Sequence, residues 1–251
     1  MHAYTSIHKV LGREYGVFKL DRGNDYEDIV LNFFRRTGET ENVIDVIEVS
    51  FRYIDQVVRN NLNVFRNPRL SPDEAIDELN RRFHEHGVGY QYESGQIVKI
   101  NSQLAHSEMV KPALSFLSEP MYKGANEEFL KAHEHCRKGR YKECLNECLK
   151  AFESTLKVIC RKRKWKYGER DTANRLIAIV FDKGLIPPLM QSHFSALRST
   201  LESGVPTVRN NQSGHGQGPN QIAVPEYIAA YILHLTASNI LLLAKADQEM
   251  K

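Results

Sequence analysis

Apolar residues in this chain recur mostly at helical spacing, with one short interval of alternation. In "DYEDIVLNFFRRTGETENVIDVIEVSFRYIDQVVR", Ile29, Val30, Phe33 and Phe34 share one helical face. Val43, Ile44, Ile47, Phe51, Ile54 and Val58 share a second, and Gly38 marks the break between them. The segment before, to about Gly23, shows no strong period. "NPRLSPDEAIDELNRRFHEHGVG" predicts a third helix with Ser71 as N-cap, Pro72 in the first turn, Glu74 completing a capping box and Gly87 ending it. In "VGYQYESGQIVKINS", Val88, Tyr90 and Tyr92 alternate, Ser94-Gly95 turns the chain, and Ile97, Val98 and Ile100 return, which predicts a β-hairpin. Gln103–Leu117 is again helical in pattern. A helix followed by a hairpin can be a DNA-binding winged-helix element or packing decoration, and the pattern leaves both open.

"SEPMYKGAN" (Ser118–Asn126) carries Pro and Gly and is the expected boundary between an N-terminal α+β domain, residues 1–122, and a helical domain, residues 123–251. Beyond it the pattern is helical throughout. Glu127–Lys138 and Tyr141–Lys164 form a helical hairpin about Gly139-Arg140, and Asp171 caps Asp171–Lys183, which Gly184 ends. Leu189–Ser203 follows Pro187-Pro188, and Pro225–Gln248 closes the chain. The expected fold class is mainly α, a helical bundle preceded by a smaller α+β domain. Between the last two helices lies "GVPTVRNNQSGHGQGPNQIAV", a polar loop of a length that in compact bundles often carries function.

Composition changes this picture little. The 251 residues are 41% hydrophobic and 26% charged, an ordinary globular balance, and the net charge of +3 demands no polyanionic partner, so any basic face must arise by clustering. His234, Thr236, Ser238 and Asn239 interrupt the most apolar stretch, Tyr227–Ala246, which reads as a buried helix and not a membrane span. With no apolar leader at the N-terminus, the four cysteines read as reduced thiols of a cytoplasmic protein. His133, His135, Cys136, Cys144 and Cys148 lack a C-x2-C pair and ligand spacing, so no metal is expected. No cofactor motif such as a P-loop or dinucleotide fingerprint appears.

The polar loop contains Arg209-Asn210-Asn211-Gln212-Ser213-Gly214-His215. Taken alone, its Asn and Gly residues suit turns, Arg209 suits a surface ion pair, and His215 suits a cap on the following helix. The spacing has a decoy, since Arg81 and His86 also stand in it on an amphipathic helix. The Arg, a polar follower, and His after four to six residues nevertheless resemble the signature of HEPN domains. "RNNQSGHGQG" before a last helix is similar to the Arg-Asn…Gly-His-Gly segment of the abortive-infection C-terminal family, over roughly Ala125 to the C-terminus. "NRRFHEHGVGYQYESGQIVKINS" resembles an N-terminal domain fused to such domains. One departure is that Gly214, Gly216 and Gly218 flank His215, where compact HEPN members run from the Arg straight into helix.

The resemblance implies a metal-independent endoribonuclease, toxin-like or antiphage, with Arg209, Asn210 and His215 as catalytic residues and a composite site in a homodimer. RNA is then the main partner, a regulatory partner protein a second, and no membrane is involved. Histidine titrates in the range for proton transfer, arginine offers a fork of donors to phosphate oxygens, and Asn210 can donate or orient. The alternative is a non-catalytic nucleic-acid-binding or regulatory protein using the helix–hairpin region. The densest basic run, Arg161 to Lys166, complements a helix dipole. Lys162, Arg163, Lys164, Trp165 and Lys166 equally suit an RNA backbone with a base stacked on the indole. Glu153 and Lys157, four apart, suit an ion pair, or a carboxylate facing the motif loop.

Overall fold

The computed structural model describes residues 2–62, 64–65, 69–190, 192, 194 and 224–250. It divides into two compact units, residues 1–98 and 99–251. In the first, α1 (His2–Tyr15), α2 (Tyr26–Arg36) and α3 (Thr40–Tyr53) pack around Ile7, Leu11, Val30, Val46 and Val49. The helix α1 lies where the sequence shows no strong period. Its inner stripe is Tyr4, Ile7, Leu11 and Tyr15, and the two tyrosines at its ends blur the apolar signal. The two helices expected on either side of Gly38 are present as α2 and α3, and α3 runs on as a π-helical turn over Ile54–Val58.

The capping box of α4 (Pro72–Glu85) forms as expected. Ser71 Oγ accepts from Glu74 N at 3.2 Å, and Glu74 Oε2 accepts from Ser71 N at 2.7 Å. The hairpin is β1 (Tyr90–Glu93) and β2 (Gln96–Lys99), with Ser94 and Gly95 both at positive φ in its turn. Side chains of two helices pin it. Asn80 on α4 donates to Tyr92 O at 3.0 Å and accepts from Tyr92 N at 2.7 Å. On α3, buried Glu48 accepts from Ile97 N at 2.8 Å, and Arg52 donates to Gly95 O at 3.0 Å. Backbone groups that a two-stranded sheet leaves unpaired are thus satisfied by neighbouring helices.

In the second unit α5 (Gln103–Ala105), a π-helical turn (His106–Val110) and α6 (Lys111–Leu117) make one helical run, as the pattern predicts. A 3-10 turn, Pro120–Tyr122, leads directly into α7 (Lys123–Arg137), which starts earlier than the sequence suggests because Tyr122, Ala125 and Phe129 are all drawn into the core. With α8 (Tyr141–Lys162) it forms the helical hairpin, then come α9 (Ala173–Asp182) and α10 (Glu226–Glu249). Phe129, Phe152, Leu156, Ile159, Leu176 and Ile240 fill the interior. Burial of each such side chain stabilises by roughly 1.5–3 kcal/mol. By length and composition α10 could cross a bilayer, but Ala229, Ile232, Thr236, Asn239, Ile240 and Leu243 on it are buried in the bundle.

The helix ends differ from expectation in two places. Asp171 does not cap α9. Its carboxylate accepts from Gly168 N at 2.8 Å, and Glu153 reaches across from α8 to accept from Ala173 N at 2.8 Å. At the end of α8, Trp165 N bonds to Cys160 O and Lys164 N to Arg161 O, a Schellman closure with Lys164 at φ +58°. The same closure after α4 and α9 uses Gly87 and Gly184.

Candidate functional site

Arg209, Asn210 and His215 lie outside the described residues. The chain on either side of them is anchored. Phe194 is buried and meets Phe181 edge-on, ring centroids 5.4 Å apart. Val224 is buried just before α10. At the N-terminal turn of α10, Glu226 accepts from Lys99 Nζ at 2.7 Å, and this ion pair holds its carboxyl below the usual range. The motif segment thus joins two points fixed in the bundle core.

Of the basic run, Lys162 and Arg163 are engaged within the fold. Asp247 on α10, almost wholly buried, accepts from Lys162 Nζ at 2.5 Å and from Arg163 Nε at 2.7 Å. Arg163 also donates to the Asp247 and Met250 carbonyls, so it clamps the C-terminal end of α10. Trp165 is half-buried against the core, while Lys164 and Lys166 are exposed. Their ammonium groups remain available for phosphate. Glu153 caps α9, and Lys157 donates to Glu169 O at 3.1 Å, so both use their charge on backbone groups. At the decoy, Arg81 is ion-paired with Glu78 and lies 3.9 Å from Glu85, Arg82 also binds Glu78 at 2.7 Å, and His86 sits at the C-cap of α4. That helix face is therefore largely neutralised.

The structure adds a group that no spacing in the sequence signals. His106 from the π-helical turn, His133 from α7 and His234 from α10 line one small cavity of about 10 Å³, together with Cys136, Ser102 and Lys99. His106 and His133 are each 4% exposed, and Nε2 of both lacks a hydrogen-bond partner. His133 packs edge-on to Phe129, centroids 4.8 Å apart. Burial pushes His133 down to about 3, helped by the charges of His106 and His234. Burial likewise pushes His106 down to about 4, helped by Lys111 and His234. His234 is lowered by burial alone. All three imidazoles are neutral at pH 7, each with one donor and one acceptor nitrogen. Cys144 and Cys148 are buried one turn apart on α8, and the Cys144 thiol is pushed up by hydrogen bonds with Cys136 and Cys148. Among the described residues, no three His, Cys, Asp or Glu side chains are arranged to hold a metal ion.

Comparison with known families also divides the chain in two, with a boundary later than that between its compact units. Residues 123–247 match the Abi_C family, described as an HEPN-like domain, and residues 1–115 match AbiJ N-terminal domain 4. No curated protein and no solved structure matches the chain. The HEPN-like match spans the helical hairpin α7–α8, α9, the segment holding Arg209 to His215, and nearly all of α10. The chain therefore belongs to the HEPN-like Abi_C family through residues 123–247, joined to an AbiJ-type N-terminal domain in the pairing of an abortive-infection effector.

Proposed function

We propose that the protein is a metal-independent endoribonuclease of the HEPN type, acting in the cytoplasm as an antiphage effector. The observation that carries this reading is the HEPN-like match across residues 123–247, which contains Arg209, Asn210 and His215 at the family spacing. The ribose 2′-hydroxyl attacks the adjacent phosphorus, the P–O5′ bond breaks, and a 2′,3′-cyclic phosphate remains on the 5′ fragment. One proton leaves the 2′-oxygen and one arrives at the 5′-oxygen. His215 exchanges these protons, because imidazole titrates near neutral pH. Arg209 stabilises the charge on the non-bridging oxygens with paired N–H donors, and Asn210 donates to phosphate or orients the imidazole. Two proton transfers with one histidine per chain favour a homodimer with two copies of the motif in a composite site. Exposed Lys164 and Lys166 contribute to holding the strand, and a regulatory partner protein restrains the activity until it is triggered.

The test is cleavage of single-stranded RNA by the purified protein in EDTA, with a matched substrate carrying a 2′-deoxy sugar at the cut position. Cutting of the first, with a cyclic phosphate end, and resistance of the second is the expected result. A requirement for magnesium, or cleavage at the deoxy position, would refute the mechanism. Light scattering at high concentration, with and without RNA, should show a dimer.

A further inference from the structure

We propose that the N-terminal unit carries a binding groove for a nucleoside phosphate, formed by His8, Lys9, Arg13, Phe18 and Tyr26. The groove, about 430 Å³, runs along α1, the turn that follows it and the start of α2. That is within the range of small-ligand sites.

Several independent features of the groove point the same way. Phe18 is fully exposed and Tyr26 is 43% exposed, so aromatic surface stands where burial would have stabilised the fold. Phe18 is held by a fixed turn. Val17 N bonds to Gly12 O at 2.9 Å, Gly16 takes φ +68°, and a Cβ on Gly12 would come 2.9 Å from Val17 O. The backbone that carries the ring is thus fixed, and the ring is open to stack on a ligand. Lys9 and Arg13 lie four apart on α1, a like-charge spacing that disfavours the helix, and among the described residues neither has an ion-pair partner. No carboxylate lines the groove. Cations beside aromatic faces, with no acid between them, suit a flat ring carrying phosphate.

His8 supplies the polar contact. It lines the groove although it is only 7% exposed, its ring is tilted on Tyr26 with centroids 5.0 Å apart, and its buried Nε2 has no hydrogen-bond partner among the described residues. An unmet buried nitrogen is unfavourable, and a small turn of the ring toward a ligand group relieves it. Burial, with the nearby Lys19 charge, lowers its affinity for a proton, so the neutral ring can donate to or accept from a base edge. A free nucleotide and one nucleotide of a single strand share this chemistry.

The site lies in the other unit from Arg209 and His215, so it stands or falls independently of the ribonuclease reading. The test uses the full chain carrying His215→Ala, titrated calorimetrically with ATP and, separately, with an eight-nucleotide single-stranded RNA. Saturable binding of either probe is expected. Phe18→Ala, at an exposed position, should weaken it roughly 5- to 150-fold, the range for losing one base–aromatic stack. Lys9→Gln with Arg13→Gln should reduce the log–log salt slope for RNA by about 1.4, two contacts at about 0.7 each. ATP binding as tightly as RNA identifies a nucleotide site, and RNA binding more tightly with a steep salt slope identifies a strand site. The proposal is overturned if neither probe binds at about 1 mM, a level where even weak sites fill. ATP binding that survives Phe18→Ala and the double substitution also overturns it, as does RNA binding whose affinity neither substitution changes and which only Arg209→Ala abolishes.

Discussion

Acidification should destabilise the helical unit by an amount that the buried histidines set. His106 and His133 are neutral in the fold and hold their protons only below about 4 and about 3. In the unfolded chain each titrates near its ordinary value of about 6.5. Between these limits the unfolded state binds more protons, so stability is fully present above about 6.5 and falls with pH until the folded values are reached. At pH 5 the unfolded chain gains about 2 kcal/mol from each histidine relative to pH 7, or about 4 kcal/mol together. The figure is set almost wholly by the unfolded chain, because both folded values lie well below pH 5. Lys111, and His234 once it takes a proton, oppose any earlier protonation of His106. Trp165, the sole tryptophan, packs against the core of this unit and reports its unfolding in urea. Wild type should lose about 4 kcal/mol more between pH 7 and pH 5 than a His106→Gln, His133→Gln double variant, since substitution removes both linkages while other titrations cancel. Equal losses in the two proteins would refute the reasoning.

Three further substitutions probe the scaffold around the motif segment, each read by urea unfolding at pH 7. Asp247→Ala leaves the half-buried Arg163 without its carboxylate and should destabilise by roughly 2–4 kcal/mol, with Lys162→Ala far milder because its side chain is 42% exposed. Lys164→Gly should stabilise by about 0.5–1 kcal/mol, since φ +58° strains a residue with a Cβ, and a loss of stability would contradict the Schellman assignment. Glu153→Ala removes the acceptor for Ala173 N and should cost about 1 kcal/mol, whereas Asp171→Ala should cost less because it caps only the turn at Gly168.

What the sequence made legible was local. The Ser71–Glu74 box, the Ser94-Gly95 turn and the apolar faces of α2, α3, α8 and α10 carry their signals within a few residues. The misread parts depend on partners far along the chain. Asp171 stands at a cap position, but Glu153 of another helix takes that role, and the same contact removes Glu153 from the pair its spacing with Lys157 suggests. The run from Arg161 to Lys166 looks uniformly basic. Only the approach of Asp247 separates Lys162 and Arg163, which hold the fold together, from Lys164 and Lys166, which face solvent. The cavity of His106, His133 and His234 draws on three elements and leaves no spacing to find. The weak period of α1 concealed a helix whose stripe is closed by tyrosines. The family signature was the exception, a short motif whose meaning comes from resemblance and not from periodicity.

The most direct measurement is single-turnover cleavage of a 5′-labelled single-stranded RNA in EDTA by four proteins side by side: wild type, His215→Ala, Arg209→Ala and Arg81→Ala. His215→Ala should lose roughly 100-fold or more in rate while RNA binding largely survives, because the group moves protons and carries little charge near neutral pH. Arg209→Ala should lose both rate and affinity. Arg81→Ala should cut as wild type does, since Arg81 is already paired with Glu78. Cleavage that persists in His215→Ala, or that falls as far in Arg81→Ala as in Arg209→Ala, would contradict the assignment of Arg209 and His215 as the catalytic pair.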